Sequence, residues 1–164
     1  MDRKVNKEKA VHDCVAGKVV LITGSTDGIG EQLAFRLAKQ GAHVLIVARN
    51  QDKLDEVVGN IVKAKGKATA YKCDLAVEAD CTALVEKVSR DFKHIDYLIN
   101  NAGRSIRRSV EHQYDRFHDF SRCIDLNYYG SLRMILGFLP NMRKRKSGSI
   151  INISSIGAVT NAPR

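Results

Sequence analysis

The segment Thr23-Gly24-Ser25-Thr26-Asp27-Gly28-Ile29-Gly30 follows an apolar run, Val19 to Ile22, and leads into a helical pattern from Gly30 to Gln40. Glycine is needed where a side chain would block a ligand or where φ must be positive. A helix start adds unpaired N–H groups at the positive end of its dipole. Strand, turn and helix together make a seat for the diphosphate of a nucleotide. The spacing Gly24-x-x-x-Gly28-x-Gly30 is neither G-x-G-x-x-G nor G-x-x-x-x-G-K-[ST], which disfavours a P-loop phosphotransferase. A glycine-rich turn also closes ordinary strand-to-helix connections, so the reading depends on its surroundings.

Those surroundings alternate. Short apolar runs recur at Val19 to Thr23, His43 to Ala48, Ala68 to Cys73, Tyr97 to Asn100 and Ser149 to Ser154, each of buried-strand length. Between them Leu54, Val57, Val58, Ile61 and Val62 share one helical face, as do Cys81, Leu84, Val85, Val88 and Phe92. A third face holds Leu132, Ile135, Leu136 and Leu139, and all three stripes read as core. Gly41 and Gly66 stand where left-handed helix caps are wanted. Alternation of strand and helix implies an α/β fold with a doubly wound parallel sheet, whose ligands bind beyond the carboxyl ends of the strands.

A chain of 164 residues with 44% apolar content suits one domain with a buried core. The net charge of +9 suits a nucleic acid, an anionic membrane or a phosphate-rich coenzyme and does not choose among them, although no nucleic-acid recognition module is present. No apolar stretch reaches membrane-spanning length, and Met1 to His12 lack the apolar core of a secretion signal, so the expected compartment is the cytoplasm. Cys14, Cys73, Cys81 and Cys123 contain no C-x-x-C pair, so neither a metal site nor a disulfide framework is expected. Residues 1–16 read as a charged helix or a mobile arm without assigned function, ahead of a dinucleotide-binding domain over 17–164.

Further motifs follow the later strands: Cys73-Asp74-Leu75, Asn100-Asn101-Ala102-Gly103, Asn127 within Leu126-Asn127-Tyr128-Tyr129-Gly130, and Ile151-Asn152-Ile153-Ser154-Ser155. With T-G-x-x-x-G-x-G at Thr23 to Gly30, this order resembles the short-chain dehydrogenase/reductase family from Gly17 to Arg164. The resemblance implies a Rossmann-type sheet, here incomplete at about five strands, and hydride transfer between a nicotinamide and a carbonyl or alcohol carbon. It seats the coenzyme on Gly24, Ser25, Thr26, Asp27, Gly28, Ile29 and Gly30, flanks the adenine with Asp74 and Leu75, and lines the ribose with Asn101, Ala102 and Gly103. Thr23 and Asn100 are expected to tie strand ends together. Asn127 corresponds to the asparagine of a proton relay, and Ser155, in preference to Ser154, to the serine that meets the substrate oxygen. None of Tyr71, Tyr97, Tyr114, Tyr128 or Tyr129 is followed four residues later by lysine, so the family's Tyr-x-x-x-Lys pair is expected beyond a truncation at Arg164. The fifth strand is then expected at an uncovered edge that recruits other chains.

The second strand ends Ala48-Arg49-Asn50, with no acid at its terminus to receive ribose hydroxyls. A guanidinium there suits the extra phosphate of NADP(H), the coenzyme expected, although Arg49 also fits a solvated surface position and Asp52 lies close enough to reach the ribose. Asp27 either points outward or caps the helix by accepting backbone N–H bonds, and the capping role is preferred.

Asn100 to Arg108, Asp115-Arg116-Phe117-His118-Asp119-Phe120 and Pro140 to Lys146 are similar to the fatty acyl-coenzyme A reductase branch of that family. This implies NADPH-dependent reduction of acyl-CoA to a fatty aldehyde by a full-length homo-oligomer. Arg104, Arg107 and Arg108 then either meet coenzyme A phosphates or form a solvated basic loop. Arg143 to Lys146 supply either surface charge near a helix C-terminus or a peripheral membrane contact. A silent NADP(H)-binding module, or a reductase of another carbonyl compound, stands as the alternative.

Overall fold

The computed structural model describes residues 2–106 and 108–157. Five parallel strands lie in the order β3-β2-β1-β4-β5: β1 (Val19–Thr23), β2 (His43–Ala48), β3 (Lys67–Lys72), β4 (Tyr97–Asn100) and β5 (Ser149–Asn152). Three coincide with the apolar runs read from sequence. β3 begins and ends one residue early, and β5 stops at Asn152. Six helices connect or precede them: α1 (Asp2–Val15), α2 (Gly28–Lys39), α3 (Gln51–Lys63), α4 (Glu78–Asp91), α5 (Phe117–Ile124) and α6 (Ser131–Arg145). A π-helical turn, Asp125–Gly130, joins α5 to α6 and has no counterpart in the sequence reading. This is a Rossmann-type sheet whose order reverses between β1 and β4.

The central strands are near-continuous apolar runs because both of their faces are covered. Val20, Ile22, Val44, Ile46 and Ile99 face α2 and α3, where they meet Ala34, Ala38, Leu54, Val57 and Ile61. The alternate residues Leu21, Leu45, Val47 and Leu98 face the other side and meet Cys81, Leu84 and Val88 of α4 with Met134, Phe138 and Met142 of α6. β5 forms one edge of the sheet, with Ile151 exposed.

Three local expectations need correction. On α6 the buried face is Met134, Phe138 and Met142, while Leu136 is 60% exposed and Leu132, Ile135 and Leu139 are only half-buried. Apolar residues spread over more than half of this helix, so periodicity could not choose a face. The rotation is set by Gly137, where a Cβ would come within 2.5 Å of Val85, so α4 and α6 meet at that glycine. Val62 on α3 likewise points outward. The left-handed cap after α3 falls on Lys65 (φ 61°) rather than Gly66, whose missing side chain instead makes room for Ile61. Gly41 does take positive φ, as expected.

The amino ends of the strands are tied by Asp96. Its Oδ2 accepts from Val19 N at 2.9 Å while its own N–H reaches Val19 O at 2.8 Å. Lys18, His94 and Arg145 stand 3.5 to 4.0 Å from its other oxygen. Arg145 also donates to Ile95 O at 2.9 Å and Ser147 O at 3.1 Å. One member of the basic run 143–146 is therefore a structural tie and not free surface charge. Among the described residues no helix is long and apolar enough to cross a membrane, and no cluster of metal-ligating side chains occurs.

Candidate functional site

At the carboxyl ends of the strands, where the order reverses, a crevice of about 670 Å³ opens. Ten of the thirteen residues expected to hold a coenzyme line it, the others being Ser25, Gly30 and Asp74. Thr23 holds the two walls together. Its Oγ1 accepts from Asn101 N and Ala102 N, both at 3.0 Å, and donates to Ile99 O at 3.5 Å. Asn101 answers by donating Nδ2 to Thr23 O and Gly24 O at 3.0 Å each.

The glycines work in different ways. Gly24 takes φ +63°, and a Cβ there would stand 2.8 Å from Ala102 Cα. A Cβ at Gly30 would overlap Gly24 O and Asn101 Nδ2, so α2 starts tight against the loop. Gly28, at φ +54°, faces open space in the crevice. Ser25 is fully buried and spends its hydroxyl on the neighbouring strand β2, accepting from Val47 N at 2.8 Å and donating to Val47 O at 3.4 Å. Asp27 occupies the N-cap position of α2 in extended geometry, yet its exposed carboxylate makes no capping bond. The preferred capping role is thus corrected to the outward one, and among the described residues no side chain takes up the N–H groups at the helix start.

At the far end of the crevice, Asp74 Oδ1 accepts from Ala76 N at 3.1 Å, an Asx turn, and Oδ2 stands 3.9 Å from Arg49 Nη1. Leu75 lines the crevice and Arg49 lies exposed on its rim. Asn50 caps α3 by accepting from Lys53 N at 3.0 Å, which brings Lys53 to the crevice wall. The sequence reading missed Lys53. Its signal was a second cation four residues after Arg49, in the first turn of the helix that follows the strand. Cys73 lines the same wall, and its thiol is pushed far up by hydrogen bonding to Cys81 and then by burial, which keeps it protonated and inert.

The residues expected to do chemistry are not gathered in the crevice. Asn127 lies in the π turn, and both ends of its amide bond the backbone of Arg104 at 2.8 Å. Leu126 beside it lines the crevice. Ser155, beyond β5, is exposed, does not line the crevice and accepts from Gly157 N at 3.2 Å. Asn100 ties β4 to β5 through Asn152 Oδ1 at 2.9 Å, while its own Oδ1 is buried without a partner among the described residues. Of the basic loop, Arg107 lies outside the described residues, and Arg108 turns to Asp119, with Nε 3.9 Å from Oδ2.

Asp119 was quoted from sequence only as part of a motif. It is 4% exposed and surrounded by basic side chains: Arg116 Nε at 2.9 Å, His118 Nε2 at 3.3 Å and Arg122 Nη1 at 4.0 Å, besides Arg108. The hydrogen bond from Arg116, aided by the charges of Arg116, His118 and Arg108, outweighs burial and holds the carboxyl below its ordinary range.

Chemically the crevice can seat a dinucleotide: free helix-start N–H groups and open space at Gly28 suit a diphosphate, Leu75 offers an apolar wall, and Arg49 with Lys53 offers cations at one end. The family model described as short chain dehydrogenase matches residues 18–164. Over 164 residues the chain is 49% identical to a fatty acyl-CoA reductase of Acinetobacter baylyi, covering 100% of this chain and 55% of that protein. It superposes on a metagenomic short-chain oxidoreductase solved in complex with NADP at TM-score 0.81 and 33% identity, covering 86% of this chain and 63% of that one. An NAD+-bound xylitol dehydrogenase gives TM-score 0.83 at 30% identity, with coverage of 90% and 56%. The chain spans about half the length of the curated relatives it matches. With the family model spanning nearly the whole chain and its glycine loop, Asn101 wall and Asn127 turn meeting at one end of the sheet, the chain belongs to the short-chain dehydrogenase family.

Proposed function

We propose that this chain binds NADP(H) in the crevice at the β1–β4 reversal, and that the protein reduces fatty acyl-CoA to fatty aldehyde. The observation that carries the coenzyme reading is the pair of cations, Arg49 and Lys53, at the crevice end beyond β2, where no acid terminates the strand. A 2′-phosphate there meets a planar guanidinium and an ammonium, whereas the ribose hydroxyls of NAD(H) have no terminal carboxylate to receive them. The substrate reading draws its support from the relative in Acinetobacter baylyi.

When bound, the nicotinamide would supply a hydride to the thioester carbonyl carbon, whose C–S bond breaks to give the aldehyde and release the coenzyme A thiol with a proton. The chain's own residues do the rest. The backbone from Gly24 to Gly30 would hold the diphosphate and Leu75 would flank the adenine, while Asn101 ties the crevice walls together by its bonds to the loop. Asn127 positions the backbone of Arg104, the residue after Gly103 on the crevice wall. Ser155 donates to the substrate oxygen, a role that requires it to approach the crevice.

Fluorescence titration of the chain with both reduced coenzymes tests the proposal. Saturable uptake is expected for both, tighter for NADPH, and absence of uptake of either overturns the reading.

A further inference from the structure

We infer that the amino-end face of the sheet is a docking surface for an anionic lipid bilayer, held there by cations of the five turns that lead into the strands. This goes beyond the reductase reading and does not depend on it. In a parallel sheet every turn that enters a strand lies at the same end. The register makes that end level, since Val19 pairs with His43, His43 with Lys67 and Tyr97 with Ser149. The segments running from the last turn of each preceding helix to the first strand residue are 12–19, 36–43, 60–67, 88–97 and 142–149. They hold twelve Lys and Arg against three Asp, a surplus of nine. The whole chain carries +9, so the rest of it balances at fifteen of each sign.

Helix dipoles explain only part of this charge. A cation in the last turn of a helix faces the negative dipole end, which accounts for seven of the twelve. Lys18, Lys65, Lys67, Lys93 and Lys146 lie outside the helices, where no dipole calls for them. Lys65 and Lys146 moreover take φ of 61° and 53°, and among the described residues no other residue but glycine has positive φ. Lysine has no short polar side chain to bond the local backbone there, so both sites cost energy that glycine would not. Nor is the charge spent inside the molecule. Among the described residues only Lys18 and Arg145 of the twelve stand within 4.0 Å of a carboxylate, that of Asp96. The other ten are exposed.

The form of the surface selects the partner. Five neighbouring strands span about 19 Å, so the charge is spread over far more than one phosphate group. A cavity of about 20 Å³ beside Lys93 and His94 has room for a water and not for a discrete anion. Eight of the twelve cations are lysines, point charges on apolar stems that lie along a lipid interface while the ammonium reaches the headgroup phosphates. Val62, 54% exposed, and exposed Ala64 alternate with Lys63 and Lys65 and offer that interface a small apolar contact. A single-stranded polynucleotide would stack its bases on exposed aromatic rings, whereas Phe92 and Tyr97 of these segments are half-buried. The crevice opens at the opposite ends of the strands, so a bilayer on this face leaves it uncovered.

The test is flotation of the chain with lipid vesicles, which separates bound protein from aggregate. Vesicles of phosphatidylcholine with about one third phosphatidylglycerol are expected to carry the chain upward at low salt, and vesicles of phosphatidylcholine alone are not. Salt near 1 M, where the screening length falls to about 3 Å, is expected to release it. Lys63→Gln combined with Lys65→Gln is expected to weaken vesicle binding roughly twenty-five-fold, about fivefold for each ammonium removed. The same loss of charge at the carboxyl ends of the strands, Lys72→Gln with Arg104→Gln, is expected to leave vesicle binding unchanged. The chain has no tryptophan, so Val62→Trp supplies a single emitter at this face, and its emission is expected to move to the blue on anionic vesicles. Flotation of the parent chain needs no variant and stands if a substitution disturbs the fold. Absence of flotation with anionic vesicles, equal flotation with neutral ones, equal weakening by the two pairs of substitutions, or an unshifted emission each overturn the inference. Complete release from the vesicles by duplex DNA at equal phosphate concentration overturns it too, and assigns the face to a polynucleotide.

Discussion

Asn127 grips the backbone of Arg104 with both ends of its amide: Oδ1 accepts from Arg104 N and Nδ2 donates to Arg104 O, each at 2.8 Å. A side chain in a π turn thereby stands in for a neighbouring strand and holds the segment leaving β4 against the helices. Two hydrogen bonds contribute about 1 to 3 kcal/mol. Asn127→Ala is expected to lose that much in urea unfolding and to speed hydrogen exchange at the Arg104 amide. Exchange as slow as in the parent would show that the grip does not hold the loop.

Arg49→Ala is expected to weaken NADPH binding by about 1 to 3 kcal/mol while sparing NADH, because only the former carries a phosphate for the lost guanidinium. Equal losses for the two coenzymes would count against the assignment of the crevice end.

Gly24 and Gly28 separate stability from binding. Gly24→Ala forces a side chain into φ +63° and against Ala102, so a loss of about 2 to 4 kcal/mol in stability is expected. Gly28→Ala meets only open space at φ +54°, so about 1 to 2 kcal/mol is expected in stability, together with a larger loss of coenzyme affinity. Denaturation midpoints and coenzyme titrations on both variants check the contrast.

Asp96→Ala removes the acceptor for Val19 N and the counter-charge for Lys18 and Arg145 at the amino ends of β1 and β4. A loss of about 2 to 4 kcal/mol is expected, since the partners remain half-buried without it. A variant as stable as the parent in guanidinium would remove Asp96 from the framework.

His43 accounts for part of the dependence of stability on pH. Burial, then the charge of Lys67, holds its imidazole below the ordinary value near 6.5. The unfolded chain then binds the proton more readily, so stability is full above that ordinary value. It declines as pH falls from about 6.5 toward the lowered folded value. His43→Gln is expected to flatten this decline between about pH 7 and 5 in thermal melts, and an unaltered slope would contradict it.

Much of the site could be read before any folding was considered. Strands β1, β2 and β4 are buried on both faces, so their apolar runs are unbroken and their ends sharp, and the glycines of Thr23 to Gly30 answer a local demand of the backbone. Ser25 and Asp27 were legible as loop residues but not in their roles. Whether a hydroxyl turns toward a ligand or toward Val47, and whether a carboxylate caps or faces water, depends on groups more than twenty residues away or on none at all.

What the linear order determined about this protein is the alternation of strand and helix, the glycine loop after the first strand and the family to which they belong, because each rests on residues within one turn or one strand of each other. The tertiary structure alone decided which face of α6 is buried, that Lys53 joins Arg49 at the crevice, that Arg145 is a tie, and that Asp119 gathers three arginines. Packing against Val85 and pairing across a loop are contacts between distant segments, and their energies exist only once the sheet has brought those segments together.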